Sequence, residues 1–282
     1  MADLSTGYLG MELDCPLVVA ASPLSRDLGS VRRLEDAGAG AIVLFSVFQE
    51  QFEPLPDLLD PQASSAELVR GDFLTRPHEY LELVSAAAAA LRIPVIPSIN
   101  VAHAGHWLDF VPHLEQAGAR ALELSIYQVS DDPYVASAAL EAAVVELVEE
   151  VRGRTGMPLA VKISPYLTSL VHAATGIWQA GAAGLVLFQR FCQPDVDIER
   201  CRLLTDLELS VPAEVSLRIG GLLELYGRVG CSLAASGGVH DAEQALACIL
   251  AGADAVMLCS ALLEHGPEYL ADVRRGLEEW LE

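Results

Sequence analysis

Lysine is almost missing from this 282-residue chain: Lys162 is its one example, and the other basic side chains are arginine. Basic residues of either kind number 17 against 39 acidic ones, a formal net charge of −22. Such a surface repels nucleic acid and anionic lipid, because phosphate backbones are held by clustered Lys and Arg. An anionic cofactor would have to be held by local backbone dipoles rather than by the overall field. Aromatics are also scarce, at 6% against 52% hydrophobic residues. That is an aliphatic, alanine-rich interior, as expected for parallel strands covered on both faces by helices. The six cysteines, at 15, 192, 201, 231, 248 and 259, contain no C-x-x-C pair. The spacing excludes a zinc or iron–sulfur ligand set within the chain and a disulfide framework, and leaves reduced thiols. The most apolar stretch, 83–105, is broken by Arg92, Pro94 and Pro97 and does not span a membrane. Met-Ala-Asp-Leu-Ser at the start lacks a charged-then-apolar signal region, so the expectation is a soluble, cytoplasmic protein.

What is present is regular. Short apolar runs fall at Leu17–Ser22, Ala41–Ser46, Val95–Asn100, Ala121–Ile126, Leu159–Ser164, Gly184–Phe188, Cys231–Ser236 and Ala255–Cys259. Eight such runs with helix-length spacers predict an α/β fold with a closed parallel sheet, a (β/α)₈ TIM barrel formed by the whole chain, 1–282, as one domain. An open doubly wound sheet would show fewer strands and a glycine-rich first turn, which Ala21-Ser22-Pro23 is not.

Ala-Gly-Ala recurs at 37–39, 117–119, 180–182 and 251–253, each time just before an even-numbered strand. Glycine there can take the left-handed conformation that ends a helix. Strands three and five are entered through Ile93-Pro94 and Met157-Pro158 instead. The repeating unit is therefore a βαβα pair, four times over. Two segments stand outside the repeat: residues 1–14, expected as a short hairpin closing the barrel bottom, and an insertion at 192–228 after strand six, expected as a functional cover. A proline-rich excursion at 50–76 follows strand two.

The carboxyl ends of barrel strands are where such folds build sites. Ser236-Gly237-Gly238 closes strand seven and opens a helix at Asp241, while Cys259-Ser260 closes strand eight. In barrels that hold a phosphate, the group sits between these two loops, against backbone N–H groups and a helix dipole. Lys162, alternating with apolar neighbours in Leu159–Ser164, points into the barrel. A compact ammonium there suits either of two chemistries: a Schiff base with a carbonyl substrate, or stabilisation of charge on a reduced flavin ring. His103-Ala104-Gly105-His106 has no third ligand at helical spacing and is expected as a solvated loop, not a metal site.

Ala20-Ala21-Ser22-Pro23, Ala121–Tyr127, Ala160–Tyr166, Leu185–Arg190, Ala235–His240 and Ser260–Pro267 together resemble, in order and over nearly the whole chain, the dihydroorotate dehydrogenases. The pattern Leu-Phe-x-Arg-Phe-x-Gln-Pro-Asp, 187–195, is similar to a divergent branch of the class 1 enzymes labelled dihydroorotate dehydrogenase-like. The resemblance implies FMN on top of the barrel. Its phosphate would lie on Ser236, Gly237, Gly238, Cys259 and Ser260. Its ring would meet Ala21, Ser22, Ser46, Asn100, Ser125 and Gln189, with Lys162 near N1 and the C2 carbonyl. It implies hydride transfer between a small, carboxylate-bearing substrate and flavin N5, commonly in a homodimer, with a separate electron-transfer protein in some members.

The residues also depart from the family. Gln128 stands where class 1 members carry the cysteine base and cannot accept a proton; Ser125 and Gln189 replace asparagines; Phe45 occupies the place of a strand-two lysine. These losses weigh against dihydroorotate itself, and so against pyrimidine biosynthesis, because a site stripped of its buried polar partners loses affinity. Tyr127, Asp131 and Asp132 are alternative bases, although Asp131-Asp132-Pro133 also reads as a helix start. Arg190 is a candidate clamp for a substrate carboxylate, or else a partner of Asp195 or Asp197. Two other readings stand beside oxidoreduction: a lyase using Lys162 without flavin, and a flavin-binding electron-transfer subunit that catalyses nothing alone.

Overall fold

The computed structural model describes residues 2–52, 76–126, 128, 130, 132–190, 194–204 and 208–282. Most of the excursion at 50–76, together with Tyr127 and Asp131, lies outside the described residues. A hairpin of β1 (Thr6–Tyr8) and β2 (Met11–Leu13) comes first. The barrel strands are β3 (Leu17–Val19), β4 (Ala41–Phe48), β5 (Val95–Val101), β6 (Leu122–Ile126), β7 (Leu159–Ile163) and β8 (Gly184–Leu187). After a small hairpin of β9 (Asp195–Asp197) and β10 (Arg202–Leu204), β11 (Ser232–Ser236) and β12 (Ala255–Leu258) complete it. Parallel pairing of β8 with β11 and of β12 with β3 closes the sheet. All eight predicted strands are present. The first ends at Val19 rather than Ser22, because Ser22 caps the 3₁₀ turn Pro23–Ser25 and accepts the Leu24 N–H.

Helices α1 (Leu28–Asp36), α2 (Pro77–Ala90), α3 (Val111–Gln116), α4 (Ser137–Arg152) and α5 (Leu170–Gln179) alternate with the strands. They are followed by α6 (Val215–Leu225), α7 (Ala242–Leu250), α8 (Ser260–His265) and α9 (Tyr269–Leu281). The Ala-Gly-Ala joints behave as their chemistry dictates: Gly38, Gly118, Gly181 and Gly252 have φ of 97°, 97°, 108° and 109°. At the second joint Gly118 N–H donates to the Glu115 carbonyl and Ala119 N–H to that of Leu114, a paired cap that ends α3. The helix expected at Asp131-Asp132-Pro133 is corrected: α4 begins at Ser137. The Asp132 carboxylate accepts the N–H of Tyr134, which holds a turn rather than starting a helix.

The insertion is corrected too. Its second half, α6, is the barrel's own helix between β8 and β11 and packs on α5 and α7. Only the part before it, with β9 and β10, is extra. At the other end of the barrel, Tyr8, Leu9 and Leu13 are buried with the lower inward-facing residues Val18, Ala41, Val43, Ile96, Ala121 and Ala160. The Leu9 N–H donates to Ser232 Oγ at 3.0 Å, so the first hairpin plugs the floor as expected. No helix among the described residues is long and apolar enough to cross a membrane.

Candidate active site

Because side chains alternate along a strand, each inward column climbs from an aliphatic floor to one residue at the mouth. Those mouth residues are polar: Ser22, Ser46, Asn100, Ser125, Lys162, Ser236 and Cys259 line a cleft of about 330 Å³. Ala21, Gln189, Arg190, Gly237 and Ser260 line it as well. Every predicted cofactor contact except Gly238 therefore shares one cleft, and Gly238 lies directly behind Gly237. Phe45 also faces this cleft, stacked edge-on against Tyr80 with ring centroids 5.1 Å apart. The substitution of the family's lysine by an aromatic ring thus leaves an apolar wall supported from behind.

Lys162 is 8% exposed, and its Nζ lies 3.7 Å from Oε1 of Glu123 on the neighbouring strand β6. The Glu123 side chain is completely buried and neither oxygen has a hydrogen-bond partner among the described residues. A buried charge without hydrogen bonds is expensive unless an opposite charge faces it, so the two side chains need one another. Glu123 was not legible as part of the site: in Ala121–Tyr127 it stands between two leucines, and only strand register places it below the lysine. Cys259, at the end of β12, has its thiol pushed up by burial, against the pull of the Lys162 charge and a Ser22 hydrogen bond. It enters the site as a neutral S–H.

The expected phosphate loops are present with two unpredicted residues between them. Gly237 and Gly238 adopt φ of 95° and 79°. A β-carbon on Gly238 would lie 2.4 Å from the backbone nitrogen of Val215, so the start of α6 abuts the glycine pair. The helix that follows strand seven is capped by its own Asp241, whose carboxylate accepts the Gln244 N–H. The dipole beside the glycines is that of α6 instead. Ser210 bridges the two loops: its Oγ accepts the Gly238 N–H at 3.1 Å and donates to Ser260 Oγ at 2.8 Å. The second newcomer is an arginine, beside the backbone dipoles that the sequence pointed to. Arg218, on α6 and 4% exposed, lines the cleft beside Gly237. Burial pulls its guanidinium below the ordinary range and Glu214 opposes that pull; arginine stays a cation regardless.

Arg190 lines the cleft but is already engaged. Its Nη1 donates to both carboxylate oxygens of Glu214, at 2.7 and 2.8 Å, and Nε donates to the Glu208 carbonyl. The suggested partners Asp195 and Asp197 are not its partners: Asp197 pairs with Arg200 and Arg202. With Nη1 on the Glu214 carboxylate and Nε and Nη2 on the Glu208 and Leu209 carbonyls, this guanidinium is a fastener for the 208–214 segment, not a free clamp for substrate. Burial raises the Glu214 carboxyl, but the Arg190 hydrogen bonds, the Val211 N–H and the Arg190 and Arg218 charges together hold it below its usual range.

Gln128 does not join this constellation. It lines a separate cavity of about 420 Å³ with Ser164, Tyr166 and apolar residues of α4 and α5. Tyr127 lies outside the described residues, and the Asp132 carboxylate is taken up by its turn. Of the two loop histidines, His103 meets the Gln49 amide nitrogen through Nε2 at 3.1 Å and the Ala104 carbonyl through Nδ1 at 3.0 Å. No group of three metal-ligating side chains occurs among the described residues.

The model of the family described as dihydroorotate dehydrogenase matches residues 78–281. A protein of Aeropyrum pernix assigned as dihydroorotate dehydrogenase A (fumarate) is 29% identical over 290 residues, spanning 99% of this chain and 92% of that one. The catalytic subunit of dihydroorotate dehydrogenase B (NAD(+)) from Thermoplasma volcanium is 25% identical over 291 residues, spanning 100% and 94%. The same subunit from Methanothermobacter thermautotrophicus is 26% identical over 301 residues, spanning 99% and 93%. With eight strands in the expected order, a lysine at the barrel mouth and a match over most of its length, the chain belongs to the dihydroorotate dehydrogenase family, a family of flavin-dependent oxidoreductases.

Proposed function

We propose that the chain binds FMN in the cleft above the barrel and oxidises or reduces a carbon–carbon bond of a small molecule other than dihydroorotate. The residues present fit the group. Gly237 leaves open a wall that a β-carbon would fill, Arg218 presents a cation there, and the one lysine lines the same cleft from β7. FMN, when bound, supplies the two-electron acceptor or donor. The chain's own residues do the rest. Ser236, Gly237, Gly238, Cys259 and Ser260 would hold the phosphate; Ala21, Ser22, Ser46, Asn100 and Ser125 would border the ring. Lys162 places a positive charge at the ring edge, where a cation favours the anionic reduced form. Gln189 and Phe45 line the remaining space.

The observation that carries this reading is Lys162: a solitary lysine, buried, at the cleft, with a carboxylate as its ion-pair partner. An ion-paired ammonium suits charge stabilisation, whereas a Schiff base needs a free amine. The substrate side argues against dihydroorotate. The base position is Gln128, whose side chain lines a different cavity, and Arg190 is occupied by Glu214. The relatives from Thermoplasma volcanium and Methanothermobacter thermautotrophicus are named as catalytic subunits. On that basis the electron acceptor is proposed to be a separate protein; that the chain pairs as a homodimer is proposed from the family resemblance alone.

The test is direct. Purified protein should be yellow, and Lys162→Ala should lose flavin absorbance. Dihydroorotate should reduce the bound flavin far more slowly than it reduces ordinary family members. Rapid reduction would overturn the substrate reading. Colourless protein that borohydride traps on a carbonyl compound would overturn the flavin reading in favour of a lyase. Yellow protein whose flavin no small carbon acid reduces would point to an electron-transfer subunit.

A further inference from the structure

We propose that Arg218 is the residue by which this chain selects a phosphorylated flavin, its Nη2 meeting the phosphate monoester beside Gly237. The inference rests on the flavin reading and goes beyond it, because the fold alone supplies a phosphate site from backbone N–H groups. Three nitrogens of this buried side chain have distinct fates. Nε donates to the Ser236 carbonyl at 2.8 Å and Nη1 to the Glu214 carbonyl at 3.0 Å. Nη2 has no hydrogen-bond partner among the described residues. It stands 2.7 Å from the point that a β-carbon on Gly237 would occupy. The glycine thus does more than turn the chain: its missing side chain is the gap through which the guanidinium reaches the cleft.

Arg218 lines the cleft, and no hydrogen bond among the described residues engages Nη2, which leaves it free to meet an acceptor that enters the cleft. The local charge says what kind. Arg190 and Arg218 both face Glu214, at 2.7 and 3.5 Å, so two cations share one carboxylate. The surplus is one positive charge, placed beside the start of α6 in a protein of net charge −22. A phosphate monoester carries close to two negative charges at neutral pH and presents oxygens suited to a guanidinium edge. Ser210 and Ser260, hydrogen-bonded to each other on the next wall, supply further polar contacts.

A purely structural role predicts something different. If Arg218 only ties α6 to the end of β11, its loss disturbs the cleft for any flavin. Comparing FMN with riboflavin separates the two, since riboflavin has the same ring and lacks the phosphate. The full-length chain, stripped of flavin, is titrated with each by fluorescence quenching, as wild type, Arg218→Lys and Arg218→Met. We expect wild type to prefer FMN. Arg218→Met should weaken FMN at least about tenfold while changing riboflavin less than about threefold. Arg218→Lys, which keeps the charge and loses the fork, should fall between. Inorganic phosphate should compete with FMN in wild type only. Equal weakening of both flavins, or an unchanged preference in the lysine variant should the methionine variant not fold, overturns the assignment. Wild type that binds neither flavin overturns the flavin reading and this inference with it.

Discussion

Lys162 Nζ and Glu123 Oε1 are 3.7 Å apart, and the carboxylate has no other partner among the described residues. The pair sets the charge felt at the ring edge of the cleft: a lone ammonium would present its full charge, whereas a paired one presents a dipole. Glu123→Gln should therefore do two things. It should destabilise the fold by about 3 kcal/mol, the usual penalty for stranding one member of a buried pair, read from urea denaturation. It should also raise the flavin midpoint potential by tens of millivolts, since a nearby negative charge is gone. A stability loss with an unmoved potential would make the pair a packing device only.

Tyr8 provides a second orphan beneath that pair. Its hydroxyl is buried with no hydrogen-bond partner among the described residues, and burial, with the Glu123 charge behind it, pushes the phenol well above its ordinary range. Tyr8→Phe removes a desolvated hydroxyl and keeps the ring that plugs the floor. Stability should rise by about 1 kcal/mol, a Tm increase of about 2 °C in a chain of this size. A lower Tm would mean that the hydroxyl has a water partner linking it to Glu123.

The Glu214 carboxyl is the pH-sensitive fastener of the cleft wall. Its folded value lies below the ordinary 4.5, so its contribution to stability is complete above that value. It is lost as pH falls through the lowered one. Between about pH 5 and pH 3, wild type should lose stability more steeply than Glu214→Gln, and the two curves should converge at the acid end. Parallel curves would show that Arg190 gains nothing from the charge.

Sequence pattern reached the strands, the repeating joints and most of the cleft because each rests on local chemistry: aliphatic runs, glycine after a helix, alternation into the barrel. It stopped where partners come from different elements. Arg218 reads as one polar residue of an amphipathic helix, and only the packing of α6 against β11 brings it to Gly237. Arg190 was paired with acids five and seven residues on, whereas the chain returns Glu214 to it 24 residues later. Glu123 and Lys162 both looked inward, but that they meet depends on the β6–β7 register, which aligns Ser125 with Lys162 and so sets Glu123 one step below.

The joints supply a prediction whose sign depends on position alone. Gly118 has φ of 97°, and a β-carbon there would lie 3.1 Å from the Ala88 β-carbon. Gly118→Ala forces an L side chain into the left-handed region against a packed neighbour, at a cost of about 1–3 kcal/mol. Gly220 lies inside α6 with no atom within 4 Å of the same hypothetical carbon, and it is exposed. Gly220→Ala restricts the unfolded chain and favours the helix, so it should stabilise by about 0.5–1 kcal/mol. Denaturation of the two variants side by side should therefore move the midpoint in opposite directions. If both lower it, α6 packs against a surface not yet accounted for at Gly220. If Gly118→Ala is harmless, the Ala-Gly-Ala joints are a habit of composition rather than a conformational requirement of the barrel.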